Sequence, residues 1–451
     1  MSSQDAFAAC RNAEDAIAAL DETGTEDVRV GIFDIDAILR EKSVGRAKAK
    51  KLLKQGYSFC DVLYKWDIAE QTYSGSAFPD EPAAIDPTSG RRHPFAPDTA
   101  MFLADFTGPH AEISPRNLAK RQIERAAAAG YGIRAAFEYE FFLFEETPES
   151  LREKGYRNLR SYAPGNWTYS ALTMAQGGET LAGLKSSLAT AGIALDSLHT
   201  ELGPGCFEAP MAACEGLRAA DNAALFKTLT KAWALREGLM AAFMAKWSND
   251  YPGQSGHMHL SLFKRDSGAP AFGGSDGEPD QAMRWFIGGL TRHLPELLAM
   301  IAHTANAYRR LVPGAWAPIH ASWGIQNRSC AVRAIPTPAE AARIEFRVPA
   351  ADGNPYLALA ACLGAGLTGL EQRIEPPAPY EGDAYEADID PAQRFPRTLL
   401  EAAERLRDSQ AARDLFGDPF VDWFVRSRAW EDQVFRAHVG DLDRQRYFAV
   451  I

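Results

Sequence analysis

Two glutamates, Glu138 and Glu140, stand two positions apart in residues 137–145, which read FEYEFFLFE. Aromatic residues and a period of two predict a β-strand. Both carboxylates should therefore point to one face of that strand, roughly 6.5–7 Å apart. Such neighbours repel each other unless one holds a proton, cations compensate them, or the face is open to water. A bound hard divalent metal ion is the most specific of these alternatives.

A second acidic pair, Glu201 and Glu208, flanks a glycine-rich turn in the sequence HTELGPGCFE. Gly203, Pro204 and Gly205 favour a tight turn, which would bring the two carboxylates back toward one point. Taken alone, two glutamates that flank a turn more often belong to an ordinary turn with no chemical role.

Two histidines occupy alternate positions of a third predicted strand, SGHMHLSL. His257 and His259 should face one way, with Ser261 on the same side. A neutral imidazole is a good metal ligand, and one nitrogen at an oxygen-rich site favours Mg²⁺ or Mn²⁺ over Ca²⁺. A single histidine is often a buried structural residue, so the pair strengthens the metal interpretation.

Glu345 and Arg347 repeat the alternation in ARIEFRVP, although a neighbouring Glu–Arg pair is often a structural ion pair. Arginine is the side chain best suited to planar recognition of carboxylate and phosphate. Further arginines precede this strand in ANAYRRLVPG and IQNRSCAVR, namely Arg309, Arg310, Arg328 and Arg333. Arginines close to these acids indicate a site that handles a polyanion through metal ions.

The element that delivers the chain into the first acidic strand is a helix. Ser114 and Pro115 are a helix N-cap and a first-turn proline, and the amphipathic run ends before Gly130. Residues 72–105 are rich in Pro, Gly and Asp and are the best candidate for an internal boundary. The other predicted elements are a strand or hairpin at 28–39, a solvated basic helix face at 40–54, helices at 180–191, 215–247 and 281–304, a strand and loop at 198–211, and a strand at 256–263.

These elements do not alternate as a doubly wound parallel sheet requires, so the sequence favours an α+β fold with a large, mostly antiparallel sheet. The chain has 451 residues and a net charge of −11, which argues against a nucleic-acid-binding protein. An acidic N-terminus and the lack of an apolar run of about 18–20 residues argue against a signal peptide and a membrane span. Six cysteines without paired spacing suggest reduced thiols in the cytoplasm.

Taken together, the motifs resemble those of the glutamine synthetase family in content, order and approximate spacing. The resemblance covers essentially residues 28–450, and no single motif carries it. The motifs are FEYEFFLF, ELGPGCFE, SGHMHLSL, NAYRRLVPG, NRSCAVR and RIEFRVPAADGNPYLALAA.

The resemblance implies an N-terminal β-grasp domain at about residues 25–110 and a catalytic α/β domain at 111–451. It also implies a homo-oligomer, commonly a dodecamer of two stacked hexameric rings, with each active site formed between neighbouring subunits. The expected cofactors are ATP and two or three Mg²⁺ (or Mn²⁺) ions, and the expected substrates are glutamate and an amine.

The family pattern also implies roles for individual residues. The first metal ion would be held by Glu140, Glu201 and Glu208, and the second by Glu138, His257 and Glu345. Arg328, Arg333 and Arg343 match residues near the ATP phosphates or the transferred phosphoryl group, and His259 and Ser261 match the nucleotide side. Arg310, Arg347 and Gly253 match contacts to glutamate. Arg328 and Arg347 are the predicted catalytic residues.

Departures from the family pattern concern the amine. Where ammonia-using members read Tyr-Glu-Ala-Pro after the LVPG turn, residues 315–318 read Ala-Trp-Ala-Pro, so Trp316 replaces a glutamate that binds ammonium. Tryptophan can shield an intermediate or stack on an organic amine but cannot accept its proton. The second ammonium-site acid has no clear counterpart among Cys60, Asp61 and Asp67. Cys206 replaces a usual glutamine.

The sequence therefore predicts an ATP-dependent ligase that joins the γ-carboxyl of glutamate to an organic primary amine or polyamine through γ-glutamyl phosphate. Electrostatic stabilisation by metals and arginines, in a site closed to water, suits this chemistry. Two alternatives stay open, an ammonia-using glutamine synthetase and a catalytically inactive structural ring.

Overall fold

The computed structural model describes residues 5–451 apart from positions 76, 164, 166 and 276. The described residues up to residue 106 contain one sheet with the strand order β2-β1-β6-β4-β3, in which β5 also pairs with β6. Its pairings are antiparallel except for β1 with β6. The strands are β1 (Asp27–Phe33), β2 (Leu39–Gly45), β3 (Tyr57–Cys60), β4 (Asp80–Ile85), β5 (Arg91–Arg92) and β6 (Thr99–Phe106).

A second, larger sheet carries most of the predicted site. Its strand order is β15-β16-β17-β12-β7-β9-β8, with β10 and β11 also paired to β7, and only β15 with β16 is parallel. Its strands are β7 (Tyr131–Phe144), β8 (His199–Thr200), β9 (Cys206–Pro210), β10 (Cys214–Glu215), β11 (Met240–Ala242), β12 (Gly256–Lys264), β15 (Trp323–Ile325), β16 (Val332–Ile335) and β17 (Arg343–Phe346). Strands β13 (Gly274–Ser275) and β14 (Glu278–Pro279) form a separate hairpin.

Helices cover the faces and ends of the two sheets. They are α1 (Asp5–Ala8), α2 (Ala13–Glu22), α3 (Arg46–Gln55), α4 (Pro115–Ala128), α5 (Pro148–Glu153), α6 (Ala171–Gln176), α7 (Gly178–Thr190), α8 (Arg218–Arg236), α9 (Gln281–Ile301), α10 (Pro355–Gln372), α11 (Leu399–Asp408), α12 (Gln410–Phe416), α13 (Asp418–Ala437) and α14 (Asp441–Tyr447). None of the described helices is long and apolar enough to cross a membrane. The α+β fold and the mostly antiparallel sheet are confirmed.

Strand β7 shows why the site lies where it does. Phe137, Tyr139 and Phe141 are buried on one side of the strand. Tyr139 packs against Phe226 of α8, with ring centroids 5.9 Å apart. The intervening residues therefore face the other side of the sheet, since side chains alternate along a strand. An aromatic core on one face thus fixes an acidic row on the other.

The helix before β7, α4, begins with the N-cap and the first-turn proline that the sequence predicted. The side chain of Ser114 accepts a hydrogen bond from the backbone N–H of Asn117, and Pro115 stands at the first helical position. The buried side chain of Arg116 then forms ion pairs with three aspartates, Asp86, Asp105 and Asp221. These contacts tie the first sheet to helices α4 and α8. The division of the chain at residue 110 stays a prediction.

Three expectations about the elements are wrong. The basic stretch predicted as a helix face at 40–54 is helical only from Arg46, because the residues up to Gly45 belong to β2. The Pro- and Gly-rich stretch at 72–105 is not a boundary, because it supplies β4 and most of β6 to the first sheet. The helix predicted at 215–247 ends at Arg236, and after Gly238, whose φ is +70°, the chain enters β11. Left-handed backbone is available to glycine and stops a helix.

Candidate active site

The register of the large sheet brings the predicted ligands together. Glu138 lies opposite His257, and Glu140 lies opposite Glu208. On the next strand, Glu345 lies opposite His259. Directly opposed side chains on one face of a sheet have Cβ atoms roughly 4.5–5.5 Å apart. Four neighbouring strands thus form a single band of carboxylates and imidazoles.

The first cluster is built around His257, which is buried. Its Nδ1 lies 3.6 Å from Glu138 Oε1 and 3.4 Å from Glu345 Oε1. Among the described residues, neither ring nitrogen has a hydrogen-bond partner. Burial, with Arg347 nearby, lowers the pKa of His257 to about 4, so the ring is neutral at pH 7. A buried neutral imidazole between two carboxylates has the properties of a metal ligand.

His259 joins this cluster as well as the predicted nucleotide side. Its Nε2 lies 3.4 Å from Glu138 Oε2, and its Nδ1 accepts a hydrogen bond from Arg343 Nε at 3.2 Å. Ligand atoms of Glu138, His259 and Glu345 all lie within 4.8 Å of one another. Ser261 is two residues further along β12, opposite Arg134 and away from the acids.

The second cluster contains a residue that the sequence did not single out, His199. Ligand atoms of His199, Glu201 and Glu208 all lie within 4.8 Å of one another. Glu140 lies across β7 from Glu208, and its Oε2 accepts the backbone N–H of Ser255 at 2.7 Å. The available signal was spacing, because His199 precedes Glu201 by two residues.

The two clusters interact electrostatically. Burial, and then contact with Glu138, raises the pKa of Glu208 well above its usual range. Burial opposes ionisation of Glu138 too, but contacts with His257 and His259 outweigh it and lower the pKa of that carboxyl. Without a cation, one acid therefore keeps a proton. A divalent ion would replace that proton, since metal ligands must be deprotonated.

Arginines hold the other end of the band. Arg333 Nη1 donates to Glu345 Oε2 at 2.8 Å, and Arg347 Nη1 donates to Glu345 Oε1. Although burial opposes it, His257 and Arg347 hold the pKa of Glu345 at about 2. The Nε of Arg347 is buried and has no hydrogen-bond partner among the described residues. That donor is available to a ligand.

Arg310 and Gly253 are direct neighbours. Arg310 is buried and donates to the carbonyl oxygens of Val348 and Arg347 at 3.0 and 3.3 Å. A Cβ atom on Gly253 would stand 2.7 Å from Arg310 Cγ and 2.7 Å from the carbonyl oxygen of Ala245. Only glycine allows the backbone to approach the arginine this closely.

Trp316 and Arg328 line one open cleft. Trp316 is 61% exposed and has a left-handed backbone, with φ at +55°. Desolvation, Glu201 and Glu208 raise the pKa of Tyr169, and the charge of Arg328 lowers it. The sequence interpretation missed Tyr169, whose ring centroid lies 4.8 Å from that of His199. Arg328 therefore acts electrostatically on a residue that lies beside the second cluster.

The sequence assigned no clear role to Cys206, Cys60, Asp61 and Asp67, and the structure shows the contacts that each of them makes. Cys206 is buried in a small apolar cluster with Phe142 and Phe144. Asp67 accepts two backbone N–H groups and the indole N–H of Trp430, as a structural residue would. Asp61, in the turn that follows β3, pairs with Lys65, and ligand atoms of Asp61, Glu81 and His110 lie within 4.8 Å of one another. Cys60, by contrast, donates to the carbonyl oxygen of Phe78.

Comparison with known proteins identifies the family. Residues 112–447 match the family model described as glutamine synthetase, catalytic domain. The chain belongs to the glutamine synthetase family. It is 36% identical to "Type-1 glutamine synthetase 2" of Dictyostelium discoideum, over 94% of this chain and 84% of that protein.

Two further relatives carry names of amine ligases. The chain is 32% identical to "Glutamate--isopropylamine ligase" of a Pseudomonas species, over 96% of this chain and 97% of that protein. It is 34% identical to "Gamma-glutamylethanolamide synthetase GlnA4" of Streptomyces coelicolor, over 96% of this chain and 98% of that protein.

Members of the glutamine synthetase family are ATP-dependent carbon–nitrogen ligases that use divalent metal ions, and this chain's donor set fits such ions. Carboxylates with a minority of imidazoles suit Mg²⁺ and Mn²⁺. Among the described residues, the ring nitrogens of His257 have no hydrogen-bond partner and could bind a cation. Burial and the neighbouring acids raise the pKa of Glu208, and a bound cation would compensate the repulsion between these carboxylates.

Proposed function

We propose that the protein joins the γ-carboxyl of glutamate to an organic primary amine or polyamine at the expense of ATP. Glutamate and the amine are the substrates, and γ-glutamyl phosphate is the intermediate. The proposal includes two or three Mg²⁺ or Mn²⁺ ions, a cytoplasmic enzyme and a homo-oligomer of two hexameric rings with active sites between subunits.

The roles proposed for the residues follow the two clusters. One ion would be held by Glu140, Glu201 and Glu208, and the other by Glu138, His257 and Glu345. The contacts of His257 with two carboxylates support the second set. We add His199 to the first set, because it lies within 4.8 Å of two of its acids. Bound divalent ions would neutralise charge on the phosphates.

The first chemical step is transfer of the γ-phosphoryl group. A glutamate γ-carboxylate oxygen forms a bond to phosphorus while the bond to ADP breaks, and ADP leaves with the electron pair. Arg328, Arg333 and Arg343 stabilise the charge that develops on the transferred group. His259 and Ser261 are proposed contacts on the nucleotide side. Arg333 and Arg343 are held by Gln326 and His259, which supports fixed donors.

The second step is displacement of phosphate by the amine. The amine nitrogen attacks the acyl carbon, the carbon–oxygen bond to phosphate breaks, and the departing phosphate keeps the electron pair. The nitrogen then loses one proton, which the departing phosphate takes up. Arg310, Arg347 and the backbone of Gly253 would hold glutamate during both steps. The unpartnered Nε of Arg347 supports its contact with a carboxylate.

The exposed side chain of Trp316 is the main observation that supports an organic amine, rather than ammonia, as the substrate. A large aromatic side chain exposed in the cleft beside Arg328 offers an apolar wall where a glutamate would attract ammonium. The names of the Pseudomonas and Streptomyces relatives point the same way.

The second candidate is a glutamine synthetase that uses ammonia. The 36% identity to the Dictyostelium protein of that name favours it. The two candidates differ in what Trp316 does, because an ammonia enzyme gains nothing from an apolar wall at that position.

Steady-state kinetics with a panel of amines separate the two candidates. Phosphate release is followed with glutamate, ATP and Mg²⁺, and with ammonium, isopropylamine, ethanolamine or a diamine as nucleophile. We expect a higher kcat/KM for at least one organic amine than for ammonium. The variant W316E should shift the ratio toward ammonium. A wild-type enzyme that uses ammonium best contradicts the proposal.

A further inference from the structure

The cleft beside Trp316 is large enough for a substrate tail. Its volume is about 630 Å³, and its lining includes Trp316, Arg328, Tyr380, Glu278 and Glu381. Small-molecule sites commonly occupy about 300–1,000 Å³. Arg328 belongs to this lining, and the proposed function assigns it to the transferred phosphoryl group, so the cleft would lead outward from the proposed reaction centre.

One wall of the cleft is anchored rather than loose. Asn327 Nδ2 donates to the carbonyl oxygens of Tyr380 and Gly382 at 3.0 and 2.9 Å. The backbone N–H of Tyr380 donates to the carbonyl oxygen of Trp323 in β15 at 2.9 Å. Gly324 permits this approach, since a Cβ there would meet Tyr380 O at 2.7 Å. Glu381 is therefore presented from a fixed backbone.

The charges of the cleft select the sign of its ligand. Glu278 and Glu381 are exposed, and within the described part of the chain neither forms an ion pair. The cation among the lining residues is Arg328, which the proposed function assigns to the phosphoryl group. The outer part of the cleft is therefore negative and would repel a polyphosphate. Aromatic faces beside carboxylates are instead a common environment for an ammonium group.

We propose that this cleft selects amines that carry a second cationic group, with Glu278 and Glu381 as its ionic partners and Trp316 and Tyr380 as its aromatic walls. The proposal rests on the proposed function and names the substrate class of that same site, a diamine or longer polyamine. One nitrogen, unprotonated, reaches the acyl carbon. The other stays protonated in the outer cleft.

A matched pair of substrates tests the proposal. 1,4-Diaminobutane and n-butylamine have the same carbon chain, and only the diamine has the second charge. Two exposed ion pairs together give a preference on the order of tenfold in kcat/KM. We expect the wild-type enzyme to show that preference, mainly through KM, and to lose much of it at high ionic strength.

Variants assign the preference to the two glutamates. The double variant E278Q/E381Q should bring the ratio of the two kcat/KM values close to one by lowering the value for 1,4-diaminobutane. The matched control is E386Q, because Glu386 is exposed on the same segment and does not line the cleft. It should keep the wild-type ratio. Melting temperatures of all variants show whether each is folded.

The outcomes distinguish this proposal from the proposed function. Equal kcat/KM values for the two amines in the wild-type enzyme would overturn the proposed selection of diamines by the cleft. A preference that survives in E278Q/E381Q would overturn it as well. Neither result contradicts amine ligation itself. A preference insensitive to salt overturns the proposed selection even if the double variant does not fold. Turnover with ammonium alone overturns both.

Discussion

A single added methyl group at Gly253 tests how glutamate is held. In the variant G253A, the new Cβ atom would stand 2.7 Å from Ala245 O and 2.7 Å from Arg310 Cγ. The carbonyl oxygen is part of the backbone and cannot rotate away, so Arg310 must move. Overpacking of this kind costs about 1–3 kcal/mol. If Arg310 binds glutamate, that amount corresponds to a rise in the KM for glutamate of roughly 5- to 150-fold.

The assay is steady-state kinetics with glutamate and ATP varied in turn. We expect the KM for glutamate to rise in G253A while the KM for ATP changes little. The control is G178A, because a Cβ on Gly178 meets nothing within 4 Å and that residue begins α7. An unchanged KM for glutamate in folded G253A, or an equal rise in both KM values, refutes the proposed role of Gly253 and Arg310.

Three further predictions concern the metal clusters and the scaffold. Because the pKa of Glu208 is raised in the folded chain, stability without metal falls as pH rises above the unfolded-state pKa, and Mg²⁺ binding should release a proton. A pH-stat titration measures that proton, and E208Q should not release it. H199A should weaken Mg²⁺-dependent thermal stabilisation, whereas the exposed-histidine control H438A should not. R116A leaves the buried Asp221 and the partly buried Asp86 and Asp105 without their cation, and it should lower the free energy of unfolding by about 3–5 kcal/mol, measured by urea denaturation.

Local sequence patterns were sufficient to predict the strands and helices in which apolar residues recur at regular spacing or the helix ends carry typical residues. The alternation in FEYEFFLFE predicted β7 and its two faces, and Ser114 with Pro115 predicted the start of α4. These patterns failed where composition hid short strands. Strand β4 alternates exposed and buried residues but contains Pro82 and is flanked by further prolines, so its sequence resembled a linker.

The candidate site could be predicted as a set of residues but not as a set of contacts. Spacing placed Glu138 and Glu140 on one face, yet only the register of β7 with β9 and β12 pairs them with Glu208 and His257. Register depends on turns and packing far along the chain. The position of Tyr169 beside His199 could not be predicted from the sequence either, because Tyr169 lies in a loop whose placement depends on the tertiary fold.

The most direct test of amine ligation is a competition experiment. The enzyme is incubated with glutamate, ATP, Mg²⁺ and equal concentrations of ammonium, isopropylamine, ethanolamine and 1,4-diaminobutane. The products are then separated by chromatography, and mass spectrometry identifies and quantifies each one. We predict that the γ-glutamyl derivative of an organic amine is the main product. Glutamine as the main product would contradict the proposed function.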